Sequence, residues 1–222
     1  METATTTFLV PGGRRDSGTV DRVGQRTEPS VRVLGPVAVA DRLGAGLKLG
    51  PARQRAVLAA LLLDARWPVS RSDLIGRVWG DEPPPAADQA LRSYLSRLRK
   101  VVQTSTALRL DRRDGGYTAV VDGTQLDLTV FRDLASRARV AVRDGRHDEA
   151  LTSYGLALAL APGSLLIGVG SDWLDERRRL LERERHTVAL ERNDLALMAG
   201  MPQLVVDDAP GRLAQEPYDE RL

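Results

Sequence analysis

The period of the hydrophobic positions changes several times along the chain, and the changes outline its elements. Val31 and Val33, then Val37 and Val39, alternate with period two on either side of Gly35-Pro36, predicting two short strands. Gly50-Pro51 opens a helix, because proline suits a first helical turn. Its apolar set, Val57, Leu58, Leu61 and Leu62, predicts a single buried face. Ser70 followed by Asp73 resembles a capping box. Leu74, Ile75, Val78 and Trp79 then repeat the same spacing until Gly80 ends the second helix. Asp81, Glu82 and Pro83-Pro84-Pro85 cannot continue a helix and predict an exposed loop. A third helix is expected over residues 86–102. Leu108 and Leu110, then residues 117–121, flank the Asp/Arg/Gly run at 111–116, the composition of a hairpin.

Two strands, three helices and a terminal hairpin in this order read as a winged helix over residues 31–122. From Asp127 onward every period is helical, which places a boundary near Gly123 and a second, all-α unit at 123–222. Within it Ala138, Ala150 and Ala157 permit close helix approach, Gly145 supplies the turn, Tyr154 fills the pair's core and Pro162 stops the helix. These have the spacing of a tetratricopeptide repeat. A strict repeat would put the next small residue at Glu184, so the array is irregular. Residues 162–170, rich in glycine and aliphatics, match no element. Residues 172–199 read as one long helix with Trp173, Leu174, Leu181, Val188, Leu195 and Met198 near one stripe, Trp173 serving as a core anchor. Residues 1–30 carry no sustained period and read as a mobile tail. The fold class is therefore mainly α with a small β component, a winged helix-turn-helix domain followed by a tetratricopeptide-like domain.

Charge sharpens this division. Residues 31–122 hold 15 basic and 9 acidic side chains, whereas residues 123–222 hold 13 and 17. A basic module joined to an acidic one suggests a polyanion binder fused to something else. Zero cysteine excludes disulfides, a thiol nucleophile and thiolate metal sites, and points to a reducing compartment, the cytoplasm. The two histidines, His147 and His186, exclude a multi-histidine centre and read as solvated polar residues. No apolar run approaches the roughly 20 residues of a membrane-spanning helix.

The third helix is where chemistry concentrates. On a helical wheel Leu95, Leu98 and Val102 fall within about 40° of Leu91, while Gln89, Arg92, Ser93, Ser96, Arg97 and Lys100 fill the opposite half. One side packs, and the other offers donors to phosphates and base edges. Between positions 89 and 113 stand seven basic residues (Arg92, Arg97, Arg99, Lys100, Arg109, Arg112 and Arg113) against one acid, Asp111. A basic helix face alone often just meets water. Here the surrounding helix order and the basic hairpin, with Arg112 and Arg113 at its tip, favour nucleic acid.

Several residues carry a resemblance. Pro51 with Gln54, Val69-Ser70, Leu74, Val78-Trp79-Gly80, Pro83-Pro84, the run Leu91 to Lys100 and Gly116-Tyr117 together resemble the OmpR-type winged helix. More specifically, they resemble the Streptomyces antibiotic regulatory protein family of transcriptional activators. The resemblance implies that the third helix enters the major groove of promoter DNA, with Arg97 contacting a base. It implies that Tyr94 and Arg99 hold phosphates, and that Arg112 or Arg113 works from the wing. It also implies that Asp81, Glu82 and Pro83 lie where such proteins touch RNA polymerase holoenzyme or its sigma factor. Asp127, Phe131 and Leu134 resemble the opening of the family's bacterial transcriptional activation domain.

Departures from the family pattern concern the end of the chain. Pro210-Gly211 interrupts a segment that the family keeps helical, and the last residues, 217–222, fall where a further repeat would begin. A fragment or a shortened member with an exposed apolar end at Leu222 is expected. No phosphate-binding loop of the G-x-x-x-x-G-K-[ST] form is present, and the acidic pairs Asp148-Glu149 and Asp207-Asp208 diverge on a helix, so no enzyme is expected. The reading calls for no cofactor and no metal. It is of a sequence-specific activator binding direct repeats as a homodimer or as tandem protomers, recruiting polymerase and controlling antibiotic or other secondary metabolism. The rival is an adaptor whose winged helix docks a protein partner without reading DNA.

Overall fold

A computed structural model describes residues 28–113 and 115–204. The chain starts with β1 (Val31–Arg32) and β2 (Ala38–Val39), paired antiparallel so that Val31 faces Val39. Then come α1 (Ala52–Leu63), β3 (Val69–Ser70), α2 (Arg71–Trp79) and α3 (Ala87–Val102). The hairpin is β4 (Leu108–Arg113) and β5 (Gly116–Val121). A 3-10 turn, Gly123–Gln125, leads into α4 (Asp127–Arg143), α5 (His147–Ala159) and α6 (Asp172–Met198).

Local signals account for most boundaries. The Ser70 hydroxyl accepts a hydrogen bond from the Asp73 amide at 3.0 Å, satisfying a free N–H at the start of α2. Gly80 stops α2 at φ +76°, and Gly145 turns α4 into α5 at φ +74°. The buried face of α3 (Leu91, Leu95, Leu98 and Val102) is the one the periodicity indicates, whereas of the four α2 positions Leu74 and Val78 are buried and Ile75 and Trp79 half-buried.

Other features depart from expectation. The first helix is buried almost all round, with Ala56, Ala59 and Ala60 inaccessible beside the larger apolar residues. Alanine carries no periodicity signal, so its burial shows only after packing. Residues 69–70 form a third strand, giving a sheet of order β3-β5-β4 with Ser70 opposite Gly116. A side chain at Gly116 would lie 2.7 Å from the Val69 carbonyl oxygen, so this close crossing needs glycine. The hairpin strands are longer than expected. Arg112 and Arg113 are the last residues of β4, opposite Tyr117 and Gly116.

In the helical half Ala138, Ala150 and Ala157 are inaccessible and Tyr154 is buried, as the repeat spacing requires. Glu184, which stands where a repeat would place a small residue, forms a two-pronged ion pair with Arg132 at 2.8 and 2.9 Å. One heptad along, Glu191 pairs with Arg139. Polar ties thus join α6 to α4 where a regular repeat would use close helix contact. Leu174, Leu181, Val188 and Leu195 are buried along α6, but Met198 is 74% exposed, having drifted off the stripe at the helix end. Trp173 is half-buried, packs against the core from its edge and carries the guanidinium groups of Arg77 and Arg177 at 4.5 and 4.9 Å from its ring centre. His147 is exposed and His186 half-buried.

The segment that matched no element is a strap. Residues 162–170 run back along the connection between β1 and β2, with Leu166 and Ile167 amides donating to Val33 and Gly35 carbonyls. Its own Leu165, Leu166 and Val169 are buried. Arg178 of α6 holds it from the other side, donating to the carbonyls of Leu165, Leu166 and Val169. One hydrophobic cluster consequently runs through both halves of the chain. Ser30, assigned to the tail, is tied down: its hydroxyl donates to Gln125 Oε1 at 2.5 Å. The remaining tail, Pro210-Gly211 and Leu222 lie outside the described residues.

Candidate nucleic-acid interface

The helix α3 rests its apolar face on α1 and α2 and turns its polar face outward. Gln89, Arg92, Ser96, Arg97 and Lys100 are exposed, and Ser93 is half-buried. Arg97 and Lys100 have no ion-pair partner among the described residues. Arg92 pairs with Asp88 one turn back, at 2.8 Å.

Two of the expected contacts have structural occupations. Tyr94 is half-buried and lies parallel to Trp79, ring centroids 6.3 Å apart and planes 6° from parallel. Arg99 spans from α3 to the hairpin: its Nε donates to the Leu110 carbonyl at 3.2 Å, and its guanidinium sits 5.5 Å from the Tyr117 ring centre. It therefore fixes the angle between helix and wing.

On the wing Arg112 is exposed and unpaired among the described residues, whereas Arg109 and Arg113 both reach Asp111. The Arg109 hydrogen bonds hold the Asp111 carboxyl below the usual carboxylate range. Between α3 and the wing lies a groove of about 570 Å³ lined by Arg71, Arg92, Arg99 and Arg112 with Tyr117 and Leu95. Arg71 escaped the sequence reading, which took it only as part of a capping sequence. Its place right after the α2 cap, at a helix N-terminus beside the basic helix, was the available signal. Four guanidinium groups around one groove can take a polyanion, which is the chemistry of phosphate contact. Among the described residues no group of three or more His, Cys, Asp or Glu side chains is arranged to hold a metal ion.

Residues 81–85 are exposed throughout, so Asp81, Glu82 and Pro83 stand in solvent between α2 and α3. The loop is closed at its far end by the Ala87 amide, which donates to the Pro84 carbonyl at 2.8 Å. Its near end abuts the second half of the chain. The Ser171 hydroxyl, capping α6, also donates to the Arg77 carbonyl at 2.5 Å. Arg77 in turn pairs with Asp64 at 2.6 Å beneath Trp173.

Comparison with known proteins places this geometry. Residues 46–118 match the family described as transcriptional regulatory protein, C terminal, and residues 126–222 match the bacterial transcriptional activator domain. The regulatory protein AfsR of Streptomyces griseus is 35% identical over 217 residues, 94% of this chain and 22% of that protein. The transcriptional regulator RedD of Streptomyces coelicolor is 30% identical over 206 residues, 86% of this chain and 56% of that protein. The chain thus spans about a fifth of the AfsR relative and about half of RedD. A solved structure of Mycobacterium tuberculosis EmbR, in complex with low affinity phosphopeptide, shares the fold. It has a TM-score of 0.74 and 24% identity, over 86% of this chain and 51% of that one. With the two modules present in this order over most of its length, the chain has the domain architecture of the Streptomyces antibiotic regulatory protein family.

Proposed function

We propose that this chain is a sequence-specific DNA-binding transcriptional activator. The observation that carries the reading is the pair of exposed cations, Arg97 and Lys100, without ionic partners among the described residues, on the open face of α3 beside an arginine-lined groove whose far wall is the wing. In this reading α3 lies in the major groove, Arg97 contacts a base edge, and Gln89, Ser93 and Ser96 flank it. Arg92, Lys100, Arg112 and Arg113 meet phosphates. Tyr94 and Arg99 act mainly by holding α3 against α2 and the wing, each with only its outer edge left for the backbone.

Residues 31–122 form the DNA-binding unit and residues 123–222 the activation unit, working in the cytoplasm without catalysis. Two protomers occupy direct repeats in a promoter. The loop bearing Asp81, Glu82 and Pro83 faces RNA polymerase holoenzyme, and the controlled genes serve antibiotic or other secondary metabolism, as in the family. Buttressing of α2 by α6 supports an activation unit that steadies this loop.

Footprinting over promoters near the gene, at two salt concentrations and with and without polymerase holoenzyme, tests the proposal. Protection of spaced direct repeats, extended by polymerase, is the expected result. Uniform protection that vanishes at moderate salt would mean that the basic face supplies only charge, as an adaptor's would.

A further inference from the structure

Two acidic residues decide which cations of this face are free. Asp111 engages Arg109 and Arg113 on the outer side of the wing. Asp88, in the first turn of α3, lies between two of the arginines that line the groove. Its Oδ1 is 3.1 Å from Arg71 Nε, and its Oδ2 is 2.8 Å from Arg92 Nη2. The two arginine side chains are 51% and 63% exposed, and the carboxylate is 40% exposed. A carboxylate paired with two guanidinium groups that line a groove competes for the cations an incoming anion would use. We propose that Asp88 is a built-in competitor for the DNA backbone: its carboxylate holds Arg71 and Arg92 in place of a phosphate and thereby lowers the duplex affinity and its salt dependence. The inference rests on the DNA-binding reading above and adds to it a residue that no base or phosphate contact would identify.

The physical case is a comparison of two anions at one seat. Exposed carboxylate–guanidinium pairs are weak, so exchanging one for a phosphate is readily reversible. While the exchange lasts, Asp88 loses partners and faces a like charge, a cost that falls on every duplex irrespective of sequence. Sequence-independent binding is the kind that charge alone supports, and it is what an activator searching a genome must keep low. A carboxylate here trims that component while leaving Arg97, which lies on the other flank of the helix and has no ionic partner, available for bases. Asp88 also suits the helix N-terminus electrostatically, so its presence does not strain α3.

The test uses the full chain and Asp88→Asn, with Asp88→Ser as a second variant should asparagine disturb the helix start. Binding to a short random-sequence duplex and to a duplex selected by the wild type from a randomised pool is measured across a salt series. Both variants are expected to bind the random duplex severalfold more tightly at low salt. The slope of log affinity against log salt should steepen by about one to two units, since each added phosphate contact contributes about 0.9. The selected duplex should gain by a similar factor, so the ratio of selected to random affinity should stay near the wild-type value. In an Arg71→Ala/Arg92→Ala background the gain from Asp88→Asn should disappear. Unchanged affinity and slope in both folded variants, or a gain that persists undiminished without the two arginines, overturns the proposal. A wild type that binds no duplex would instead remove the DNA-binding reading itself, so the two failures are distinguishable.

Discussion

At the scale of single residues, ion pairing separates the cations of the interface into two groups. Arg97, Lys100 and Arg112 have no ionic partner among the described residues, and Arg71, Arg92, Arg109 and Arg113 share Asp88 and Asp111. The unpaired arginines differ in what they face. Arg97 sits on α3, and its replacement by alanine is expected to cost about 1–3 kcal/mol on a selected site while leaving random duplex nearly unaffected. Competition binding with the two duplexes decides this, and equal losses on both would sink the base contact. Arg112 lies on the wing, where the proposed contacts go to the DNA backbone. Arg112→Ala should weaken all duplexes alike and flatten the salt slope by about one unit. An unchanged slope would take Arg112 out of the phosphate contacts.

Among the elements, the wing and α3 must keep a fixed angle for both to meet one duplex, and Arg99 is their brace. Its hydrogen bond to Leu110 and its contact with Tyr117 cross from helix to hairpin. Removing it with Arg99→Ala should speed amide hydrogen exchange in β4 and β5 while leaving α3, which is secured by Leu91, Leu95 and Leu98, near its wild-type protection. Exchange rates in the hairpin that match wild type would show the wing to be held by its sheet alone. These elements were legible to different degrees in the sequence. The amphipathic α3 was plain because a stripe of leucines opposes a continuous polar face. The strand β3 was not, because two residues carry no period and pair only with a partner 46 positions away, at Gly116. The contribution of Arg71 was hidden for a related reason: its neighbours in the groove come from α3 and the wing.

Across the whole molecule, the two halves are joined by buried groups as well as by chain. Asp127, the first residue of α4, is 2% exposed and accepts backbone hydrogen bonds from Val33, Leu34 and Leu128 at 2.7 to 2.9 Å. It thus ties α4 to the segment that follows β1. Asp127→Ala leaves these donors unsatisfied and should destabilise the chain by about 3 kcal/mol or more, read as a lowered urea midpoint. Burial pushes the Asp127 carboxyl up to about 6, against the pull of the same N–H donors. A folded carboxyl that holds its proton more tightly than the unfolded one favours folding fully below the unfolded range. That contribution is lost as pH rises through about 6. Wild-type stability should therefore decline between about pH 4 and 6 by at most about 3 kcal/mol relative to Asp127→Asn. Unfolding titrations of the pair, run in parallel, check the sign; parallel curves would show that Asp127 does not titrate in that window. Elsewhere the halves meet through Trp173, Ser171 and the strap, which put the α6 terminus against α2.

What the sequence determined by itself is what depends on near neighbours: helix periods, the Ser70 cap, the turns at Gly80 and Gly145, the small residues between α4 and α5, and the segregation of arginine onto one face. From these the winged helix and the helical pair follow, because a helix or hairpin exposes its burial pattern within a few residues. Tertiary structure alone decided how distant segments share space. It buried α1 almost all round, turned an aliphatic, glycine-containing stretch into a strap along the β1–β2 connection, set Trp173 against two arginines and brought Arg71 to the groove. It also set Asp88 between two cations from different helices. Each of these is a relation between surfaces far apart in the chain, fixed by which faces must leave water together and which charges then find one another.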